Sequence, residues 1–276
     1  MKNCLLLLAR SLTCVKIGRV AFVFVWLTAA AGGAFAQQPA PPPQAAPASD
    51  IDVKAIDALK AMGAYLRNLK AFGLRSETTT DEVLDNGQKV QFGGTVDYLV
   101  RKPNGMRAEV VSDRKRRQYF YDGKTVTVYG PTNGYYASAA APPTITELLQ
   151  FLDEKYDLNL PLADLFLWGT DKDGLDDIKS AINLGPSRIG GIDCDHYVFR
   201  QADVDWQIWI ERGKTPLPRK LVITTTSEPA QPQYVAVLKW DLNPKLDNKT
   251  FTFVPPKGAQ KIVLATAEAL AAEKKK

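Results

Sequence analysis

Lys89-Val90-Gln91-Phe92-Gly93-Gly94-Thr95-Val96-Asp97-Tyr98-Leu99-Val100-Arg101 has the cleanest alternation in the chain. Val90, Phe92, Gly94, Val96, Tyr98 and Val100 fall on one side of an extended chain, and Lys89, Gln91, Thr95, Asp97 and Arg101 on the other. A period of two is that of a β-strand with one face buried and the other wet. The same period occurs upstream, where Phe72, Leu74, Ser76 and Thr78 oppose Arg75, Glu77 and Thr79. Between the two strands, Asp85-Asn86-Gly87-Gln88 reads as a hairpin turn, because Asn-Gly tolerates the positive φ angles of a type I′ turn.

Downstream, turn residues recur at Lys102-Pro103-Asn104-Gly105, Ser112-Asp113, Asp122-Gly123 and Pro131-Thr132-Asn133-Gly134. They separate strands expected at 105–111, 116–121 and 125–130, an antiparallel meander. Further strands are expected at about 191–200, 204–212, 217–226 and 234–242, with Phe251 to Val254 closing the set.

Two regions carry helical spacing instead. Ser49 can cap a helix with Asp52 three residues on, and Ile56, Leu59, Met62, Leu66 and Leu69 then form an apolar stripe to about Lys70. In the middle of the chain, Thr144 and Glu147 read as a capping box before Ile145, Leu148, Leu149, Phe151 and Leu152. Leu160 to Trp168 then ends at Gly169, a natural stop, so two short apolar helices are expected inside the β region.

Arg101-Lys102-Pro103-Asn104, Asp122-Gly123-Lys124-Thr125-Val126-Thr127-Val128-Tyr129 and Phe251-Thr252-Phe253-Val254-Pro255-Pro256-Lys257-Gly258 together resemble the periplasmic lipoprotein carrier superfamily (LolA/LolB-like). The layout, including Cys194-Asp195-His196-Tyr197-Val198-Phe199, also resembles an uncharacterised bacterial family described as predicted periplasmic proteins. The resemblance implies an α+β, mostly antiparallel β fold. Its curved half-barrel sheet would be covered by an N-terminal helix and a short helical insertion, and would hold acyl chains on its concave face.

The N-terminal region reads as an export signal. Lys2, Arg10, Lys16 and Arg19 precede the apolar run Val20 to Leu27, and Ala34-Phe35-Ala36 offers a cleavage site, so residues 1–36 are expected to be removed after Ala36 on the way to the periplasm. The run is too short to span a bilayer. Residues 37–50, rich in Pro, Ala and Gln, read as an extended linker, 51–262 as one domain, and 263–276 as a loose helical tail. Four of the 35 Lys and Arg lie before the cleavage site with no Asp or Glu, so the net charge of +5 falls to about +1. That balance gives no case for nucleic acid. Cys194 alone of the three cysteines would survive cleavage, so stability must come from the core.

Catalytic patterns are thin. Cys194 and the single histidine, His196, share a strand face, but no second His or Cys completes a zinc site. Asp171-Lys172-Asp173-Gly174-Leu175-Asp176-Asp177 places its glycine at the fourth position, where an EF-hand loop needs it at the sixth. Gly185-Pro186-Ser187-Arg188-Ile189 lacks the last glycine of a nucleophile elbow. The basic run Arg114-Lys115-Arg116-Arg117 reads as a solvated edge that discourages sheet aggregation, or as a transient contact with a membrane surface.

No enzyme, metal or cofactor is implied. The expectation is a non-enzymatic periplasmic binding protein holding a lipid, an acylated lipoprotein or another hydrophobic ligand between sheet and helices. Candidate lining residues are Phe92, Tyr98, Leu148, Leu149, Leu152, Phe166, Trp168, Trp206 and Ile208, with Trp209 on the opposite face. The alternative is a structural or regulatory interaction protein whose core is filled. If residues 143–169 form a lid over a ligand, Trp168→Ala is expected to weaken binding of a hydrophobic probe more than it lowers stability, relative to Val96→Ala.

Overall fold

A computed structural model describes residues 51–273; the expected signal segment and linker lie outside the described residues. Helix α1, Val53–Asn68, turns Ala55, Leu59, Met62, Gly63 and Leu66 inward. Its cap is Asp52, whose carboxylate accepts the N–H of Lys54 at 2.9 Å, so the expected Ser49 cap is replaced by the acid three residues on.

Strands β1 (Ala71–Val83) and β2 (Lys89–Arg101) pair along their whole length, from Ala71 opposite Arg101 to Val83 opposite Lys89. Their connection is not type I′. Asn86 stays outside the left-handed region, and Gly87 alone enters it at φ 81°. Gly87 N–H donates to Leu84 O, and Leu84 N–H to Gln88 O, the pattern of a type I turn followed by a glycine bulge. The meander continues through β3 (Gly105–Ser112), β4 (Arg116–Tyr121), β5 (Thr125–Gly130) and β6 (Tyr135–Ala140).

Helix α2, Ile145–Tyr156, follows, and its Thr144 cap accepts the Glu147 N–H. The expected capping box is half formed, because the Glu147 carboxylate accepts the Thr144 hydroxyl and not its backbone N–H. The second expected helix is a single 3-10 turn, Ala163–Phe166. A second meander then runs through β7 (Ser180–Ile189), β8 (Ile192–Arg200), β9 (Val204–Glu211), β10 (Pro218–Thr225) and β11 (Gln233–Asp241).

All strands, with a short final one, β12 (Gln260–Lys261), join one sheet in the order β12-β6-β5-β4-β3-β2-β1-β11-β10-β9-β8-β7. The two meanders meet where β11 pairs antiparallel with β1. A mostly antiparallel, open curved sheet with few helices is thus the observed fold.

The C-terminal segment differs from expectation. Phe251 to Val254 is not a strand: Asp247 and Thr250 form a reciprocal capping box on a 3-10 turn, Asn248–Phe251, that ends the run of strands. Phe253 packs on the outer face against Phe120, Tyr129 and Tyr136, with centroids 5.1–5.3 Å away. The closing strand is β12, Gln260–Lys261, which pairs parallel with β6. Helix α3, Ala267–Glu273, follows.

Lys102, at the end of β2, reaches the C-terminus of α1, where its ammonium donates to Leu66 O at 2.7 Å. Burial, reinforced by Lys70 and Arg67, lowers its pKa from 10.5 to about 8. Between these values the unfolded chain holds a proton that the folded chain has released, so stability rises as pH climbs through this window. Chemical denaturation at pH 7.5 and 9.5 is expected to show a gain in wild type that is lost in Lys102→Met; equal pH dependence in both proteins would refute the assignment.

A filled cup under an irregular cover

Alternation along the strands divides the sheet cleanly. Phe72, Leu74, Val96, Tyr98, Val100, Trp206, Ile208 and Leu238 face the concave side and belong to one core cluster with the inner faces of α1 and α2. Trp209 is on the opposite side, in a small separate cluster with Cys194 and Val222. The concave face is therefore an apolar cup, and what closes it decides what it can do.

The cover is built from α1, α2 and the irregular segment 158–169. Phe166 sits between Tyr98 and Phe72, with ring centroids 5.5 Å and 6.1 Å away. Trp168 lies parallel to Trp206 at 6.4 Å, and Trp206 stacks in turn on Phe199 at 4.3 Å. Leu148, Leu149 and Leu152 of α2 join the same cluster. Eight of the nine sequence-expected lining residues are thus brought together, each at most 7 % exposed. Their side chains fill the cup.

Phe92 is the exception. It lies toward the tip of the β1–β2 hairpin, half-exposed, with the Arg114 guanidinium 4.1 Å from its ring centre. The basic run is engaged in part with acids as well: Arg114 also pairs with Glu82 at 2.8 Å, and Arg116 with Glu109 at 2.6 Å.

The backbone of the cover is held mainly by itself. Ala163, Leu165, Leu167 and Trp168 N–H groups donate to the carbonyls of Leu160, Leu162 and, for the last two, Asp164. One side chain of the sheet ties it down, as the Tyr98 hydroxyl donates to Pro161 O at 2.6 Å. Leu162 is fully buried at φ 63°, a left-handed conformation that costs a bulky residue on the order of 1–3 kcal/mol. The segment ends where Gly169 meets Gly63 of α1. A Cβ on Gly63 would stand 2.7 Å from Gly169 N, and one on Gly169 would stand 2.8 Å from Gly63 C.

The floor of the cup holds polar atoms that find no hydrogen-bond partner: Ser76 Oγ, Trp206 Nε1 and Tyr234 OH. Burial, and then the nearby Asp164 carboxylate, pushes the Tyr234 phenol well above its ordinary range. Burial likewise raises Tyr98, with Tyr234, Tyr119 and Asp164 adding smaller contributions. Asp164 of the cover therefore lies over this part of the floor.

The outer face carries different chemistry. A depression of about 500 Å³ crosses it where Gly73 leaves a notch beside Leu99, rimmed by Arg75, Asp97, Arg107 and Lys239. His196 stacks on Trp209 at 3.9 Å and its Nε2 pairs with Gln207 at 3.0 Å. The Ser187 hydroxyl accepts from Trp209 Nε1, and the Cys194 thiol donates to Ile192 O. Each candidate nucleophile is thus engaged with a partner other than the imidazole. Burial lowers the His196 pKa against the opposing effect of Gln207. No group of three or more His, Cys, Asp or Glu among the described residues could hold a metal ion.

The family model described as "Predicted periplasmic protein (DUF2092)" matches residues 55–265. A comparison with curated proteins finds no match. Solved structures similar to this chain include an uncharacterised conserved protein from Thermus thermophilus, at 11 % identity and a TM-score of 0.43, covering 76 % of this chain and 99 % of that one. The Mycobacterium tuberculosis lipoprotein LppX aligns at 10 % identity and 0.42, covering 71 % and 100 %. A LolA superfamily protein from Nitrosomonas europaea aligns at 12 % and 0.28, covering 72 % and 97 %.

Proposed function

This chain belongs to the family described as predicted periplasmic protein (DUF2092), and from that premise we propose that it is a non-enzymatic periplasmic binding protein for a hydrophobic ligand such as an acyl chain. The observation that carries the reading is the cover. An apolar half-barrel is closed over its middle by a 3-10 turn and bends whose hydrogen bonds are mainly internal, so the segment can lift without breaking a strand ladder. Residues 158–169 then act as a plug: Phe166 and Trp168 occupy the cup when it is empty and leave it when a chain enters. Burial of an acyl chain yields about 0.8 kcal/mol per methylene, enough to replace the plug's own apolar contacts.

The filled packing beneath Leu148, Leu152, Phe166 and Trp168 favours a second reading, an interaction protein that binds no small ligand and acts through its outer surface. Mass spectrometry of organic extracts separates the two, using protein purified without detergent from the periplasm of its native host beside an unrelated periplasmic control. A stoichiometric lipid in the extract supports the carrier and gives the ligand class. A clean protein that also fails to take up N-phenyl-1-naphthylamine would leave the interaction reading.

A further inference from the structure

We infer that the cup selects amphiphiles that carry a hydrogen-bond acceptor into it with their chain, such as an ester, and not bare hydrocarbon. The inference rests on the binding reading above and deepens it. Trp206 is 2 % exposed and Tyr234 6 %, yet neither Trp206 Nε1 nor Tyr234 OH has a partner. Buried polar groups are normally paired, and each left unpaired carries a desolvation penalty that a suitable ligand atom removes.

Their placement adds to the case. In the register of the sheet, Trp206 lies opposite Ile223 and Ile223 opposite Tyr234, so the two residues stand on one face two strand spacings apart, roughly 10 Å. Each sits under the plug, Trp206 beneath Trp168 and Tyr234 near Asp164. Lifting residues 163–168 would therefore expose an apolar floor on which these two donors stand beside the Ser76 hydroxyl. Indole N–H donates only, and the phenol donates or accepts, so both can receive an ester or amide oxygen.

A purely apolar chain would leave both atoms as they are in the closed protein. A chain with an acceptor would gain a bond that water cannot supply once the chain fills the cup, which is a difference the protein can read as selectivity.

Displacement of N-phenyl-1-naphthylamine by methyl palmitate and by octadecane, each delivered from methyl-β-cyclodextrin, tests this with chains of matched length. Methyl palmitate is expected to compete at roughly tenfold lower concentration, about 1.4 kcal/mol. The ratio is expected to fall to near one in the double variant Trp206→Phe, Tyr234→Phe, and part-way in Tyr234→Phe alone, which keeps the ring and removes only the hydroxyl. Because the removed groups are unpaired in the empty protein, Tyr234→Phe is also expected to raise Tm without ligand. Equal competition by the two chains in wild type, or a preference that survives the double substitution, overturns the inference while leaving a hydrophobic site standing. Failure of the probe to bind wild type at all removes the binding reading and this inference together.

Discussion

Gly63→Ala is expected to lower the stability of this protein by about 3 kcal/mol and its Tm by on the order of 10 °C, against the direction that helix propensity alone dictates. Gly63 lies inside α1, where replacing glycine by alanine ordinarily gains about 1 kcal/mol. Here the added methyl would meet Gly169 N at 2.7 Å, Gly169 Cα at 3.0 Å and Trp168 C at 3.1 Å. All three are backbone atoms, so no side chain can rotate aside; the helix and the end of the plug must separate. Gly169 cannot retreat easily, because it holds φ 75° and turns the chain out of the cup.

The same substitution has a second readout. If segment 158–169 is a plug, prying it from α1 raises uptake of N-phenyl-1-naphthylamine, so the variant is less stable and more receptive. Denaturant unfolding of Gly63→Ala beside Ala61→Gly, on the exposed side of the same helix, separates the contact from propensity. A stability equal to or above that of wild type would show that α1 and the plug are not in this contact.

The sheet was legible in the sequence wherever side chains were large enough to mark its two faces. In β2, Val96, Tyr98 and Val100 against Asp97 and Arg101 fix both the period and the buried side. β6 escaped notice because its inward residues are Ala137 and Ala139, which mark a face with a single methyl each. β7 escaped because Gly185-Pro186 looks like a turn, whereas both pair with β8 in an edge strand, opposite His196 and Asp195, just past a bulge between Asn183 and Gly185. Phe251 to Val254 misled in the opposite sense. Its residues favour a strand, but the Asp247 and Thr250 capping box upstream bends the chain, burying Phe251 in a turn and sending Phe253 to the outer face.

Of the site, the alternation gave the lining residues of the sheet, and helical spacing gave those of α2. What local pattern cannot carry is distance. Whether Phe166 and Trp168 rim a cavity or fill it depends on how deeply residues 158–169 descend between β2 and β9, which are remote in sequence. The irregular backbone was hidden for a related reason: Leu162 to Leu167 are all buried, so no exposed side breaks the apolar run into a helical period. The unpaired Trp206 and Tyr234 atoms are likewise features of the assembled floor.

That difference between rim and plug reverses the outcome expected for Trp168→Ala. As a lid wall seen from sequence, Trp168 would contact the ligand, and its loss would weaken probe binding. As a plug it competes with the ligand. Trp168 is 3 % exposed and its ring lies parallel to that of Trp206, so truncation removes a large buried side chain and costs about 4 kcal/mol, against about 2 kcal/mol for Val96→Ala on the floor. The void opens directly over Trp206, inside the cup, where an apolar probe can fill it. Trp168→Ala is therefore expected to bind N-phenyl-1-naphthylamine more tightly than wild type. Saturating probe, at about 100 times its Kd, would then return about 2.7 kcal/mol of the loss. Val96→Ala opens a smaller space on β2, four strands from Trp206 of β9, and leaves the plug intact, so its loss is expected to persist with probe present. Thermal unfolding of both variants with and without probe decides the matter: rescue confined to Trp168→Ala places the ligand where the plug now sits, and loss of probe binding on truncation would make Trp168 a wall of the site.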